Sequence, residues 1–193
     1  MPLALTEQVH RALEQTLRLG DVALDATLGN GFDAVFLGQT IGETGKLFGF
    51  DIQQEAIQIT ELRLRESGVH HFQLFPVCHS RMLEFVRAEL HGQIGAILFN
   101  LGYLPGANKA ITTQADTTRM AIEAAMQLLR EGGVLSVVAY PGHAAGAVEA
   151  EMVQTIMNAH EEDGFEVQCT NSQRGSKPGP IWWFAKKRGR APF

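Results

Sequence analysis

Apolar positions follow two alternating patterns along this chain. Apolar residues spaced every four positions from Leu5 to Leu17 predict an amphipathic helix over residues 3–19. Short continuous apolar runs, such as residues 134–140, are typical of strands that are buried on both faces of a sheet. Segments of the two kinds alternate throughout the chain, so the pattern predicts an α/β protein.

The residues that begin and end each pattern set the predicted bounds. The predicted strands cover residues 21–27, 45–52, 72–78, 94–100, 134–140, 165–171 and 180–187. The predicted helices cover residues 3–19, 32–41, 53–68, 80–90, 114–133 and 146–164, with Ser80 as a cap and a glycine pair at the end of 114–133. This alternation predicts parallel βαβ units in a doubly wound sheet with helices on both faces. The last two strands predict a hairpin, which makes one of them antiparallel at the sheet edge.

The composition fits one globular domain over residues 1–193, with an N-terminal helical segment over 1–20 and a basic tail over 188–193. A formal net charge of −5 argues against a protein that coats nucleic acid non-specifically. The chain has neither an apolar run of membrane-spanning length nor a signal-peptide pattern. We therefore expect a cytoplasmic protein, in which Cys78 and Cys169 are buried free thiols.

The first predicted strand runs into a glycine-containing turn that is typical of nucleotide sites. Gly29 and Gly31 remove side chains where the backbone must turn sharply and approach a ligand. Asp51 ends the second predicted strand 20 residues after Gly31, where a carboxylate can accept both hydroxyl hydrogens of a ribose. The alternative is a tight strand-to-helix turn without a ligand, but the position of Asp51 favours a ribose-bearing nucleotide.

Two further acidic residues favour S-adenosyl-L-methionine over NAD as that nucleotide. Asp25 and Asp33 place carboxylates around the turn, which suits a ligand with an ammonium group and would repel a pyrophosphate. The remaining length leaves no room for an additional catalytic domain, and the fourth strand ends in Asn100. No Cys/His cluster has the spacing of a zinc site, so no metal is expected.

Four segments of the sequence also resemble a known family. They are, in order, DATLGNGFDAVFL (25–37), GFDIQQEAI (49–57), FNLGYLPGANKAITT (99–113) and YPGHAAGAVE (140–149). Together they resemble the YtqB-like family of class I methyltransferases, whose members are assigned as MnmM-type tRNA methyltransferases. The resemblance covers roughly residues 5–187. It implies a Rossmann-like fold with a seven-stranded, mostly parallel sheet, an antiparallel last strand, and often a homodimer.

The resemblance also implies an activity. Such an enzyme uses S-adenosyl-L-methionine to convert 5-aminomethyl(-2-thio)uridine at the tRNA wobble position to 5-methylaminomethyl(-2-thio)uridine. The alternatives are methylation of rRNA or of a small amine, and a non-catalytic nucleotide-binding protein. One segment departs from the family, which usually carries an Asn-Pro-Pro-type sequence before the last strand. This chain has Lys-Pro-Gly-Pro there, at residues 177–180.

The end of the fourth strand carries the predicted catalytic chemistry. The sequence NLGY at 100–103 has the spacing of the Asn-Pro-Pro-Tyr motif of amino-group methyltransferases. The side-chain oxygen of Asn100 and the carbonyl of Leu101 can hold the hydrogens of an amine, so that its lone pair points at the methyl group. Gly102 permits the turn, and Tyr103 can stack on the target base. An alkylamine must lose a proton before it attacks, and His143 is either the base or relay for that proton or a loop cap.

The remaining candidates surround these motifs. Methyltransferases hold the edge of the adenine where His79 and Ser80 lie in this sequence, and Lys109 and Arg119 can hold tRNA phosphates unless they are only solvated. An acidic protein that binds tRNA through a small basic rim should be salt-sensitive. The predicted cofactor-binding residues are Asp25, Thr27, Gly29, Asn30, Gly31, Asp33, Asp51, Ile52, Gln53, His79, Ser80, Asn100 and Leu101. The predicted substrate-binding residues are Leu101, Gly102, Tyr103, Lys109, Thr112, Arg119, Arg174 and Lys177.

Overall fold

A seven-stranded sheet forms the centre of the protein in a computed structural model, which describes residues 3–102, 112–174 and 177–189. The strands are β1 (Val22–Asp25), β2 (Lys46–Phe50), β3 (Phe72–Phe75), β4 (Ile94–Asn100), β5 (Leu129–Ala139), β6 (Phe165–Arg174) and β7 (Lys177–Lys187). Their order across the sheet is β3-β2-β1-β4-β5-β7-β6. The predicted seven-stranded, mostly parallel sheet is therefore confirmed.

Helices cover both faces of this sheet. They are α1 (Leu5–Glu14), α2 (Phe32–Ile41), α3 (Gln54–Glu66), α4 (Met82–Phe85), α5 (Ala115–Leu128) and α6 (Ala144–Glu162). One buried apolar cluster contains residues of α1, α2 and α3, and a second contains residues of α4, α5 and α6. Neighbouring residues of β1 divide between them, since Ala23 belongs to the first cluster and Leu24 to the second. No helix in the described part of the chain is long and apolar enough to cross a membrane.

The strand order reverses between β1 and β4. Strand β1 pairs in parallel with β2 on one side and with β4 on the other. After β1 the chain builds outward through β2 and β3, and after β4 it builds in the opposite direction. Such a reversal opens a crevice beyond the carboxyl ends of the two central strands, where open α/β sheets bind their ligands.

The final hairpin forms as predicted, but its antiparallel strand does not lie at the edge. Strand β7 is antiparallel to both β5 and β6, and β6 is the edge strand. The reason is burial: Trp183 and Ala185 of β7 are fully buried, whereas Phe165 is the buried apolar residue on β6. The more apolar strand therefore takes the inner position.

Some predicted bounds and exposures were wrong. The helix over 80–90 is instead a 3-10 turn at His79–Arg81, the short α4, and a second 3-10 turn at Ala88–Leu90. The backbone of Val86 is extended after α4, although its side chain is buried. The first helix stops at Glu14. The cysteines are not both buried, because Cys78 is half-buried and Cys169 is exposed.

The prediction that the pair Gly132-Gly133 ends a helix is wrong, because both residues lie within β5. Ile94 of β4 pairs with Leu129, and Ala96 pairs with Val134. Gly95 alone therefore opposes four residues of β5, so β5 bulges at the glycine pair.

Close packing explains why glycine occupies position 133. A Cβ atom at Gly133 would lie 2.8 Å from the carbonyl oxygen of Ile94 and 2.9 Å from that of Arg130. Ile94 is paired with Leu129 in the sheet, so its carbonyl cannot move without disturbing the strand pairing.

We expect Gly133→Ala to lower the free energy of unfolding by about 2 kcal/mol, because overpacking displaces the β4–β5 ladder. Urea unfolding measures this loss. Gly142→Ala is the matched control, because nothing lies within 4 Å of a Cβ atom at that position. Its effect should stay within about 0.5 kcal/mol. Equal losses in both variants would contradict this account of the bulge.

Candidate active site

A cavity of about 840 Å³ lies at the carboxyl ends of β1, β2 and β4, where the strand order reverses. It also contacts the residues that follow β5. The predicted site residues that line it are Thr27, Gly29, Asn30, Gly31, Asp33, Asp51, Ile52, Gln53, His79, Asn100, Leu101, Gly102, Thr112 and His143. The structure thus places the glycine turn after β1, Asp51 after β2 and the end of β4 around one cavity.

Asp25 does not line this cavity, so the structure does not bring it together with the other predicted cofactor-binding residues around this space. Its side chain is fully buried, and Oδ1 accepts a hydrogen bond of 3.0 Å from the backbone N–H of Thr27. Burial raises the pKa of Asp25 well above its ordinary value, and the nearby carboxylates of Asp33 and Asp51 add to this rise. A carboxyl group held toward its neutral form supports the turn from below and is a poor partner for an ammonium group.

Ser80 and Arg119 also lie away from the cavity lining in the described part of the chain. The hydroxyl of Ser80 donates to Sγ of Cys78 at 3.2 Å, and it caps no helix. Arg119 projects from the exposed face of α5 and forms an ion pair of 3.0 Å with Glu123, one helical turn away. Arg119, which is predicted to bind a tRNA phosphate, is therefore already paired with Glu123.

Four predicted substrate residues cannot be placed. Tyr103 and Lys109 lie outside the described residues. Arg174 and Lys177 end β6 and begin β7, and their side chains lie outside the described part. Their roles stay predictions.

The glycine turn packs closely against α3. Gly31 has a φ of 78°, in the left-handed region, and a Cβ atom there would lie 2.9 Å from Cα of Thr60. The backbone carbonyl of Asn30 accepts a hydrogen bond of 2.8 Å from Nε of Arg63. The turn is held from behind by α3, and its backbone faces the cavity.

Asp51 is fixed by backbone donors on both sides. Its Oδ2 accepts from the N–H of Gly29 at 3.0 Å, and its Oδ1 accepts from the N–H of Gln53 at 2.9 Å. Each carboxylate oxygen can accept a second hydrogen bond. The side chain is therefore oriented and still able to accept two ligand hydroxyl groups.

His79 presents a buried acceptor in the cavity wall. Its Nδ1 lies 3.2 Å from the carbonyl of Ala26, and because a carbonyl only accepts, Nδ1 carries the hydrogen. Burial lowers the pKa of His79 to about 4, and the bond to Ala26 offsets only part of this decrease. The ring is neutral at pH 7, so Nε2 has a lone pair. Within the described residues this buried nitrogen has no hydrogen-bond partner, which leaves it available to a ligand donor.

Asn100 lies at the centre of a hydrogen-bond network. Its backbone N–H donates to Oγ1 of Thr27 at 2.6 Å, which joins the ends of β4 and β1. Its side-chain Nδ2 donates to Oδ2 of Asp33 at 2.9 Å. The hydroxyl of Tyr140 donates to Oδ1 of Asn100 at 3.1 Å. The amide is thus oriented with its nitrogen toward Asp33 and its oxygen toward Tyr140.

Sequence reasoning missed two members of this network. Tyr140 follows β5 and lines the cavity, and the parallel pairing of β4 with β5 is the signal that brings it beside Asn100. His10 lies on α1, and its Nε2 is 2.7 Å from Oδ1 of Asp33. The apolar spacing of α1 gave no sign of this polar contact.

Residues on either side of positions 103–111 are tied to α6. The N–H of Gly102 donates to Oγ1 of Thr113 at 2.8 Å, and the N–H of Thr113 donates to the carbonyl of Gly102 at 3.0 Å. Glu149, only 3% exposed, accepts hydroxyl hydrogen bonds from Thr113 at 2.8 Å and from Thr118 at 2.6 Å. A buried carboxyl group therefore fixes the chain where it leaves β4 and where it returns.

His143 is the N-cap of α6, and its Nδ1 accepts a hydrogen bond of 3.1 Å from the N–H of Gly146. This geometry supports the loop-cap alternative of the sequence analysis. The same side chain lines the cavity, so it also lies within the candidate site.

The strand order, the reversed seventh strand and the crevice at the reversal define the class I methyltransferase fold. A protein described as a "putative rRNA-methylase" of Clostridium thermocellum is 34% identical, with a TM-score of 0.90 over 97% of this chain and 99% of that one. A "putative methyltransferase" of Streptococcus mutans, solved in complex with SAH, is 29% identical, with a TM-score of 0.84 over 97% and 99%. The chain belongs to the family whose model is described as "Putative rRNA methylase", which matches residues 47–186.

A curated relative is named for a specific RNA substrate. The chain is 39% identical over 158 residues to the chloroplastic tRNA (mnm(5)s(2)U34)-methyltransferase of Arabidopsis thaliana. The alignment covers 77% of this chain and 57% of that protein, so the chain spans little more than half of the relative's length.

The low pKa of His79 predicts a loss of stability in acid. The unfolded state gains a proton on this histidine near pH 6.5, whereas the folded state gains it only near pH 4. Stability is therefore lost as the pH falls from about 6.5 toward 4. Urea unfolding at pH 7.5 and pH 5 should show a loss that is larger in the wild type than in His79→Gln by roughly 2 kcal/mol. The control is His70→Gln, at an exposed histidine, which should lose as much stability between pH 7.5 and pH 5 as the wild type. The same pH dependence in wild type and His79→Gln would contradict the prediction.

Proposed function

We propose that this protein is an S-adenosyl-L-methionine-dependent N-methyltransferase that acts on tRNA. Its proposed substrate is the exocyclic aminomethyl group of 5-aminomethyl(-2-thio)uridine at the wobble position. The observation that carries the proposal is the oriented amide of Asn100, a residue that lines the cavity at the end of β4. The similarity to the Arabidopsis enzyme supports the choice of nucleotide.

The residues of the cavity fit the cofactor. Asp51 offers two anchored carboxylate oxygens to ribose hydroxyls. His79 offers a neutral acceptor nitrogen, which matches the amino group of adenine. Ile52 follows Asp51 and is 57% exposed, so it supplies apolar surface for a purine ring. S-adenosyl-L-methionine, when bound, supplies a methyl group activated by a sulfonium.

The chemistry required of the protein is the orientation of an amine. The substrate ammonium must first lose a proton, so that the nitrogen lone pair is free to take the methyl group that S-adenosyl-L-methionine would supply. The second lone pair of the Asn100 oxygen can accept an amine hydrogen, since Tyr140 uses only one. The carbonyl of Leu101 is the second proposed acceptor, on a backbone whose N–H is fixed to Val138 at 2.8 Å. Two acceptors on one side leave the lone pair directed at the methyl group.

His143 is the proposed proton acceptor or relay. Its Nδ1 is occupied by the N–H of Gly146. Protonation at that nitrogen would remove the cap of α6, so proton uptake and the position of α6 are coupled in this proposal.

RNA recognition requires an aromatic surface and local positive charge on an acidic protein. Tyr103, Lys109, Arg174 and Lys177 remain proposed contacts on the resemblance and on their charge. Phe32 adds a candidate that sequence reasoning missed, because it lines the cavity and is 61% exposed, with the guanidinium of Arg63 4.0 Å from its ring centre. Such an aromatic ring can stack on an unpaired base.

The proposal extends to a single domain over residues 1–193 in a cytoplasmic homodimer. Its support is the family resemblance. Methylation of rRNA is the second candidate, favoured by the description of the family model. A small-amine substrate and a non-catalytic nucleotide-binding protein remain alternatives that the following experiment separates.

Purified protein, labelled S-adenosyl-L-methionine and bulk tRNA from cells that lack this gene test the substrate directly. We expect nucleoside mass spectrometry to show the gain of one methyl group on 5-aminomethyluridine or its 2-thio form. Ribosomal RNA from the same cells and free alkylamines serve as parallel substrates. Transfer to rRNA or to free amines alone would overturn the tRNA assignment, and cofactor binding without any transfer would favour the non-catalytic alternative.

Asn100→Ala should lower kcat on tRNA by about 100-fold, because the amine is no longer oriented. Titration calorimetry should find the Kd for S-adenosyl-L-methionine within about threefold of the wild type, since Asp51 and His79 remain. Asn158→Ala removes an exposed asparagine on α6 and is the matched control, with both quantities unchanged. A fully active Asn100→Ala variant would remove the amide from the mechanism.

A further inference from the structure

We propose that His10, on α1, is a positioning residue that holds the amide of Asn100 in its working orientation through Asp33. The role of the amide in catalysis rests on the proposed function, but the contacts that orient it do not. Three side chains from α1, α2 and β4 form this chain of contacts, which crosses from outside the sheet to the cavity.

The first contact fixes which end of the Asn100 amide faces Asp33. Oδ2 of Asp33 is 2.9 Å from Nδ2 of Asn100. A carboxylate accepts hydrogen bonds, so only the NH₂ end of the amide can face it. If the amide flipped, Oδ1 would face the carboxylate and the NH₂ group would face the incoming amine. The NH₂ group of Asn100 and the N–H groups of the substrate amine would then face each other as two donors, although the amine requires an acceptor there.

The second contact fixes Asp33. Its carboxylate lies in the first turn of α2, where the free backbone N–H groups of a helix N-terminus also attract an anion. His10 competes with that attraction, because its Nε2 lies 2.7 Å from Oδ1 of Asp33. The side chains of His10 and Asp33 are only 24% and 15% exposed, so little water reaches the pair.

The third contact fixes His10. Its ring lies parallel to that of Phe36, with an interplanar angle of 2° and 3.8 Å between the ring centres. Phe36 lies one helical turn after Asp33 on α2, so one helix holds both the ring and its hydrogen-bond acceptor. The stacked ring leaves Nε2 directed at the carboxylate, and Nε2 must carry the hydrogen because the carboxylate accepts.

Asp33 also lines the cavity, so the alternative role of His10 is to act through Asp33 on the ammonium group of the cofactor rather than on Asn100. The two roles differ in what they change. Loss of amide orientation lowers kcat and leaves cofactor affinity intact, whereas loss of a cofactor contact raises the Kd for the cofactor.

Two substitutions separate the hydrogen bond from the packing. His10→Phe keeps an aromatic ring on Phe36 and removes the donor, whereas His10→Gln restores a donor. We expect His10→Phe to lower kcat on tRNA by about 10- to 100-fold, with the KM for tRNA and the Kd for S-adenosyl-L-methionine within about twofold. His10→Gln should recover most of the rate. His70→Phe is the matched control at an exposed histidine, and His10→Leu replaces His10→Phe if that variant does not fold.

A second readout does not depend on activity. In ¹H–¹⁵N spectra, the side-chain NH₂ signals of Asn100 are assigned by their absence in Asn100→Ala. They should shift or broaden in His10→Phe, remain near the wild-type positions in His10→Gln, and stay unchanged in His70→Phe. If wild-type protein methylates no tRNA, the proposed function fails, and these signals still decide the role of His10.

Four results would each overturn the positioning role. One is an unchanged Asn100 signal in folded His10→Phe protein. Another is a fall in cofactor affinity that accounts for the loss of rate. The third is a folded His10→Gln variant that is as impaired as His10→Phe. The last is found by combining His10→Phe with Asn100→Ala. If His10→Phe lowers kcat as much in the Asn100→Ala variant as in the wild type, His10 does not act through the amide.

Discussion

Strands β1 and β4 are neighbours in the sheet, and the chain leaves their carboxyl ends in opposite directions. The parallel pairing of these two strands is the constraint on which the site depends. It brings the glycine turn after β1 beside Asn100 at the end of β4, and the 2.6 Å bond from the Asn100 backbone to Thr27 fastens the two ends together. The reversal of strand order at this pair opens the crevice in which the cavity lies.

Negative charge is the difficulty of this arrangement. Burial raises the pKa of Asp25, and the carboxylates of Asp33 and Asp51 lie close enough to add to that rise. The fold manages the three in different ways. Asp25 is buried in a form that favours its proton, Asp51 is satisfied by two backbone N–H groups, and Asp33 is held between His10 and Asn100. A cationic ligand therefore meets a site whose anions are already oriented.

The sequence predicts what short-range patterns encode. Helix α2 and strand β4 have the predicted bounds, since apolar spacing, glycine and strand length all agree there. The prediction for 80–90 failed because two buried residues, Met82 and Val86, do not require a continuous helix. The glycine turn and Asp51 could be predicted because each follows a strand directly. His10 and Glu149 could not, because their polar contacts join residues far apart in the chain, and periodicity carries no information on such pairs.

The reciprocal bonds between Gly102 and Thr113 have a consequence for how this family can change. They join Gly102 to Thr113 in a fixed neck, and Glu149 anchors that neck to α6. Because the entropy of loop closure grows only slowly with length, the residues inside such a neck can be exchanged, shortened or extended at little expense to the sheet. Under the proposed function, in which Tyr103 and Lys109 contact the RNA, relatives can thus change their methyl-accepting substrate by altering this one segment, while the strands and the cofactor cavity stay as they are.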